Sequence, residues 1–280
     1  VAVDLHLHSS ISDGTDSPER IVDLAVAAGL SGIALTDHDT FEGIAEAREA
    51  AGERIEFVPG VEMSVDWAHT SMHLLAYFVG PGSQLDHELS AVRASRVSRN
   101  AEMIVALNDM GIPVTLSEVE QISGHGVLGR PHIAEALVNH GVVDSIPEAF
   151  DQYLARGRPA YRSRLRFDAT RAVALVAQAG GVTSVAHPHT VADDAAGFGR
   201  ALDGFVADGI DGVECWYSEY GQDQRVRMAR GAGARGLIAT GGSDYHGHRK
   251  PDIAVGVGKG DLRVPDEALT ALLERHATRS

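Results

Sequence analysis

Nine imidazole and carboxylate side chains recur in short clusters along this chain: His6, His8, Asp13, His38, Glu62, His73, His187, Asp244 and His246. They lie in Asp4-Leu5-His6-Leu7-His8, Ser12-Asp13-Gly14, Thr36-Asp37-His38-Asp39, Gly60-Val61-Glu62, Met72-His73-Leu74, Ala186-His187-Pro188 and Gly242-Ser243-Asp244-Tyr245-His246. Imidazole and carboxylate together suit Zn, Mn or Fe, and the lack of thiolates disfavours a closed structural zinc site. Nine ligands exceed what one ion uses. A carboxylate such as Glu62 can bridge two metals about 3.5–4 Å apart and so clamp both oxygens of a displacement. The chemistry indicated is metal-assisted hydrolysis.

Each piece also has a plainer reading. Asp13 in Ser-Asp-Gly is a common turn residue. Asp37, Asp39 and His69 read as solvated loop polars and stay outside the ligand set. Glu62 and His73 sit among apolar neighbours, where an unpaired polar group would be costly. The metal reading rests on their coincidence: almost every ligand follows a short apolar run with the character of a β-strand.

Those runs are Val1–Leu5, Leu30–Thr36, Ile55–Val61, Ser71–Val79, Gly181–Ala186, Ile210–Trp216 and Leu237–Thr240. Helical patterns alternate with them. Ser17 and Pro18 open a helix that runs to Ala28 and stops at Gly29. Others are expected at about 41–51, 170–179, 195–208, 222–234 and 266–276. This alternation predicts a parallel sheet with helices packed outside. In a barrel of such units, the C-terminal ends of the strands carry function, and six of the seven expected strands would bring a ligand to that rim. The rhythm breaks from about Gln84 to Tyr161, where the pattern is helical: one long helix over 86–110 and shorter ones near 117–123, 131–139 and 146–154. Pro81-Gly82 and Gly157-Arg158-Pro159 bound this insertion.

The chain is long enough to bury a sizeable core without crosslinks. Its single cysteine, Cys215, excludes an internal disulfide framework. With no membrane-length apolar run and no leader pattern at the start, the expected location is the cytoplasm. The net charge of −15 argues against long nucleic acids as partners. Two or three divalent cations would invert that field locally. The basic residues are also uneven. Arg156, Arg158, Arg162, Arg164 and Arg166 form one cluster, an edge for nucleotide or RNA backbone or a set of surface ion pairs. Arg93, Arg96 and Arg99 recur every three residues along the long helix, either reaching a phosphate or forming a solvated face.

Taken in order, these motifs resemble those of the polymerase and histidinol phosphatase (PHP) family: His-x-His with a following Asp, Thr-Asp-His, a Glu, a His, His-Pro and Asp-x-His. The resemblance covers roughly 1–80 and 165–257. Leu35-Thr36-Asp37-His38-Asp39-Thr40, Gly129-Arg130-Pro131-His132-Ile133-Ala134 and Gly242-Ser243-Asp244-Tyr245-His246-Gly247 look like the small stand-alone phosphoesterases of the family. The resemblance implies a distorted (β/α)7 TIM-like barrel with a helical insertion domain. Residues 1–82 and 165–280 would form the barrel, and 83–164 the cap. It also implies a trinuclear centre of Mn, Zn, Fe or Mg. His6, His8, Glu62 and Asp244 would hold the first metal, Glu62, His73 and His187 the second, and Asp13, His38 and His246 the third.

The implied activity is hydrolysis of phosphate monoesters of a small nucleotide, such as a nucleoside 3′,5′-bisphosphate, with a metal-bridging hydroxide as nucleophile. Glu62, Asp13, His38, His187, Asp244 and His246 would be the residues at the reacting centre. Arg130 and His132, at the start of an insertion helix, are candidates for binding phosphate; the plainer reading is an Arg-Pro loop with a capping His. Trp216 and Tyr217 are either base-stacking residues or strand-end wall. Three alternatives stay open: a 5′–3′ exonuclease on short 5′-phosphorylated RNA or DNA, a non-catalytic metal-stabilised module, and amide hydrolysis on a similar barrel. The last would use a carboxylated lysine, for which Lys250 and Lys259 are poorly placed.

Overall fold

A computed structural model of the chain describes residues 2–68, 70–124, 128–163, 165–191 and 194–279. His69 and Arg164 therefore lie outside the described residues. The order is β1 (Ala2–Leu7), α1 (Pro18–Ala27), β2 (Gly32–Leu35), α2 (Ile44–Ala51), β3 (Glu56–Trp67) and β4 (Thr70–Tyr77). The helical stretch follows: α3 (Gln84–Asp109), α4 (Leu116–Ser123), α5 (Arg130–Asn139) and α6 (Ile146–Ala149), which runs on as a π turn to Leu154. Then come β5 (Phe167–Asp168), α7 (Ala169–Gln178), β6 (Val182–Ala186), α8 (Ala195–Ala207), β7 (Gly212–Tyr217), α9 (Gln222–Gly233), β8 (Ile238–Gly242), β9 (Val264–Pro265) and α10 (Asp266–Ala277).

The strands form one sheet in the order β8-β7-β6-β4-β3-β2-β1-β9, with β5 beside β3. It nearly closes into a barrel, because the segments just beyond β1 and β8 meet: Asp244 N–H donates to the His6 carbonyl at 2.9 Å and His8 N–H to the Tyr245 carbonyl at 3.1 Å. The seven expected strands are present, and β5 and β9 are two-residue additions. The expectation of a purely parallel sheet is corrected in two places, the short β9, antiparallel to β1, and β4. β4 runs antiparallel to both neighbours, β3 and β6. A parallel crossover takes a dozen or more residues, and the chain between the two runs is too short for one, so β3 and β4 pair as a hairpin. That reversal is the distortion of the barrel.

Apolar side chains fill the barrel interior and its lower end. Val3, Leu5, Ala34, Val58, Leu75, Tyr77 and Val182 pack with Leu269 and Leu272 of α10. A larger cluster lies between the sheet and the outer helices, from Ile21 and Val22 to Phe205 and Val213. The helical stretch has an apolar cluster of its own, including Met103, Leu107, Ile133, Leu137 and Leu154. No described helix is long and apolar enough to cross a membrane.

Candidate metal centre

The apolar interior gives way to polar side chains at one rim. His6 and His8 alternate with Leu5 and Leu7 along β1, so both imidazoles point to the same side of the sheet. Asp13 is carried on the loop after β1, folded tightly by Gly14 N–H donating to the Ser9 carbonyl at 2.9 Å. His38 follows β2 and pairs with Glu62 across an isolated bridge. β3 continues past the rim, so Glu62 lies within the strand and not after it. His73 sits in the first half of β4, and the reversed direction of that strand brings it to the rim where β6 ends. His187 follows β6; Asp244 and His246 follow β8. The rim is therefore common to all nine, although the strand-end rule fails for Glu62 and His73.

Glu62 is at the centre. Its Oε2 lies 3.3 Å from His6 Nε2, 3.0 Å from His8 Nε2 and 3.3 Å from His38 Nδ1. Its Oε1 lies 2.7 Å from His73 Nδ1 and 3.1 Å from His187 Nε2. Asp13 faces His38 at 3.5 Å and His246 at 3.4 Å. Asp244 Oδ1 faces His6 at 3.6 Å and His8 at 3.5 Å. Three groups have ligand atoms within 4.8 Å of one another: His8, Asp13, His38 and His246; His6, His8 and Asp244; and His38, Glu62 and His73. His8 and His38 each belong to two groups, so the partition is less tidy than the resemblance implied.

This donor set fits divalent cations. His6 Nε2 and His8 Nε2 face each other at 3.0 Å, although an imidazole nitrogen without its proton is an acceptor only. Nδ1 of His8 and His187 is buried with no hydrogen-bond partner, a costly state that coordination would relieve. Burial pushes the Glu62 carboxyl upward, but the imidazoles around it outweigh that and hold it well below the usual carboxylate range. Burial lowers His38 to about 3, which keeps the imidazole in the neutral form that ligation needs.

The backbone is held in unusual conformations here. Asp39, His187 and Asp244 all have positive φ, a region sparsely used by residues other than glycine and often concentrated at functional sites. Gly242 is needed for close approach: a Cβ there would sit 2.4 Å from the His6 Cβ.

Several supporting residues were missed from the sequence. Buried Glu214 on β7 accepts from His6 Nδ1 at 3.1 Å and from the His187 backbone N–H at 2.7 Å. It thereby aims the opposite His6 nitrogen at Glu62. Such partners fix the tautomer and orientation of a ligating histidine. Tyr217 O–H donates to Asp244 Oδ2 at 2.9 Å and Lys250 Nζ donates to the same oxygen at 2.5 Å, leaving Oδ1 for the centre. Tyr217 thus supports a carboxylate, and Lys250 belongs to the rim. Arg249 donates to the carbonyls of Asp13 and Gly14 and pairs with Glu135 of α5, tying the Asp13 loop to the helical stretch.

Asp37 and Asp39 are corrected from solvated loop polars to buried groups. Asp37 accepts from the Ser9 and Ser12 hydroxyls at 2.6 Å each. Asp39 pairs with Arg96, and its carbonyl accepts from Arg93 at 2.7 Å. The solvated-face reading of the α3 arginines also fails: Arg96 and Arg99 are buried, and Arg99 donates to Asn100 Oδ1 at 2.7 Å. His132 is a capping histidine, its Nδ1 accepting from Gly129 N–H at 2.9 Å. The other nitrogen, Nε2, is then protonated, yet it is buried without a partner. Arg130 donates to the Leu154 carbonyl at 3.3 Å and lies over the Phe150 ring.

Comparison with known proteins agrees with this geometry. The family model described as "PHP domain" matches residues 4–155. The chain is 33% identical over 247 residues to a 3′,5′-nucleoside bisphosphate phosphatase of Chromobacterium violaceum, covering 87% of each protein. It is 34% identical over 245 residues to a 5′-3′ exoribonuclease of Haemophilus influenzae, covering 87% of this chain and 89% of that one. A solved structure from Bifidobacterium adolescentis, described as a metal-dependent phosphoesterase, superposes with a TM-score of 0.84 at 31% identity, covering 98% of this chain and 96% of that one.

Proposed function

From the premise that this chain belongs to the PHP domain family and is a metal-dependent phosphoric ester hydrolase, we propose that it releases phosphate from a small nucleotide such as a nucleoside 3′,5′-bisphosphate. The observation that carries this reading is Glu62, which presents one oxygen to His6, His8 and His38 and the other to His73 and His187. A carboxylate so surrounded suits a bridging role in a centre of up to three divalent ions. Bound there, such ions supply Lewis acidity and a water whose pKa is lowered to about 7.

The chain's own groups do the rest. In this reading the nine rim residues hold the ions, and Glu214, Tyr217 and Lys250 keep His6 and Asp244 aimed inward. Residues 83–164 act as a cap, supported by their separate apolar cluster. The cap supplies the phosphate contacts. His132 offers its buried Nε2–H, and Arg130 offers a guanidinium with no carboxylate partner among the described residues. Arg93, Arg96 and Arg99 support this edge from α3; Arg93 and Arg96 also fix the Asp39 loop. Holding the phosphoryl group in place and neutralising its charge is most of what such catalysis requires.

A second reading, a 5′–3′ exonuclease on short 5′-phosphorylated RNA, draws on one feature. Arg166 lies 3.5 Å from the Tyr161 hydroxyl, and both line a groove with Arg156 beside Asp66, Trp67 and Thr70 of the β3–β4 hairpin, where rings and cations together suit a further nucleotide. Manganese- or zinc-loaded protein should release phosphate from a nucleoside 3′,5′-bisphosphate with at least tenfold higher kcat/KM than it releases nucleotide from a 5′-phosphorylated trinucleotide. The reverse order would replace the first reading with the second. Inactivity on both, at full metal loading, would remove both.

A further inference from the structure

A cleft of about 540 Å³ opens between α8 and α9, beside the metal centre and on the barrel itself. His189 stands at its mouth. Its ring is 6.0 Å from that of His187 and stacks at 5.7 Å on Tyr217, whose hydroxyl supports Asp244. The Tyr220 hydroxyl accepts from the His189 backbone N–H at 3.1 Å and lies 3.0 Å from His189 Nδ1. A continuous run of rings, His187–His189–Tyr220, leads from the ligands into the cleft.

Behind this mouth the walls are Tyr220, Phe198 and Met228, and two glycines, Gly199 of α8 and Gly231 of α9, line the space. Glycine inside a helix is disfavoured relative to alanine, and neither position requires it. A Cβ on Gly199 would meet only the tip of Arg235 at 3.9 Å, and one on Gly231 would touch Leu202 at an ordinary 3.5 Å. What the missing side chains provide is width. Gln224 and Arg227 also line the cleft and add an amide and a guanidinium, groups that read the edges of purine bases. Flat apolar walls with polar groups at the margin suit a planar heterocycle.

We infer that this cleft holds the base of the nucleotide whose phosphate lies at the metal centre, with His189 as the partition between the two. The inference deepens the phosphoesterase reading and rests on it. Its cap-side counterpart, the arginine edge, then serves phosphate, and the two ends of the substrate lie on opposite sides of the centre.

The test is Gly231→Leu, with Gly199→Ala as a milder companion, in metal-loaded protein whose thermal melt shows that it is folded. Calorimetry would measure binding of an unphosphorylated nucleoside and, separately, of inorganic phosphate. Gly231→Leu should weaken the nucleoside tenfold or more, Gly199→Ala less, and phosphate affinity should stay within twofold of wild type. An unchanged nucleoside affinity, an equal loss of both ligands, or no nucleoside binding to wild type would overturn the base subsite. Absence of phosphate release from any ester would instead remove the phosphoesterase reading, independently of this result.

Discussion

The barrel rim and the helical stretch above it handle charge in opposite ways. At the rim, five imidazoles surround one carboxylate, and buried groups such as Glu214 and Tyr217 hold individual ligands from behind. In the helical stretch Arg96 and Arg158 pair with Asp39 and Asp151, whereas Arg130 meets a carbonyl and a ring and has no carboxylate among the described residues. A site that is over-determined by mutual contacts fixes one reaction. On the proposed reading, a cationic edge with spare donors is completed only when an anionic substrate arrives. If the cap binds substrate as proposed, reaction class and substrate choice are separable in this molecule, and substitutions in the two regions should fail in different ways.

The largest expected effect lies at the rim. Glu62→Ala removes the carboxylate common to five histidines, so metal content measured by elemental analysis should fall. The loss in kcat/KM should be on the order of 10³-fold, the upper range for removing a preorganised electrostatic group. Near-normal turnover with full metal loading would break the comparison, because the rim would then have no centre.

Glu214→Gln tests whether support from behind matters as much as the ligands themselves. The amide keeps the shape, but its single oxygen can accept from only one of His6 Nδ1 and the His187 N–H. Loss of a partner of this kind typically costs about 10- to 100-fold in metal affinity or activity. A metal titration should show weaker loading and full recovery of activity at excess metal. Unchanged affinity would make Glu214 a packing residue.

Much of this site was legible in the sequence, and the omissions have physical reasons. Most of the nine candidate ligands are visible because imidazole and carboxylate at the ends of apolar runs need an explanation, and the runs are long enough to mark strands. Glu214 was passed over because it lies inside a run, Gly212-Val213-Glu214-Cys215-Trp216-Tyr217. The available signal was energetic: a carboxylate between buried Val213 and Cys215 must have partners. The reversal of β4 was also available, since so short a connection cannot make a parallel crossover. The burial of Asp37 and Asp39 was not legible. Asp37 is enclosed by Ser9 and Ser12 of the loop after β1, and Asp39 by α3 folding back so that Arg93 and Arg96 reach the loop after β2, long-range contacts that no local pattern announces. His132 is intermediate: its capping role follows from its place in α5, whereas its unpartnered Nε2 is a fact of packing.

The smallest expected effect belongs to the cationic edge. Arg130 makes one long hydrogen bond and a ring contact, so Arg130→Ala should leave metal content and the fold intact. Its loss should appear as a roughly tenfold higher KM for a nucleotide carrying two phosphates, about 1.4 kcal/mol of binding, with little change in kcat. A nucleotide carrying one phosphate should be affected less, because the metal centre alone can hold it. Arg158, exposed and paired with Asp151 at 2.5 Å, serves as the control: surface pairs of that kind contribute about 0–1 kcal/mol, and Arg158→Ala should leave both substrates unchanged. If Arg130→Ala lowered kcat equally for both nucleotides, the guanidinium would be acting on the reacting phosphoryl group, and the division between a reaction-setting rim and a substrate-setting cap would have to be redrawn.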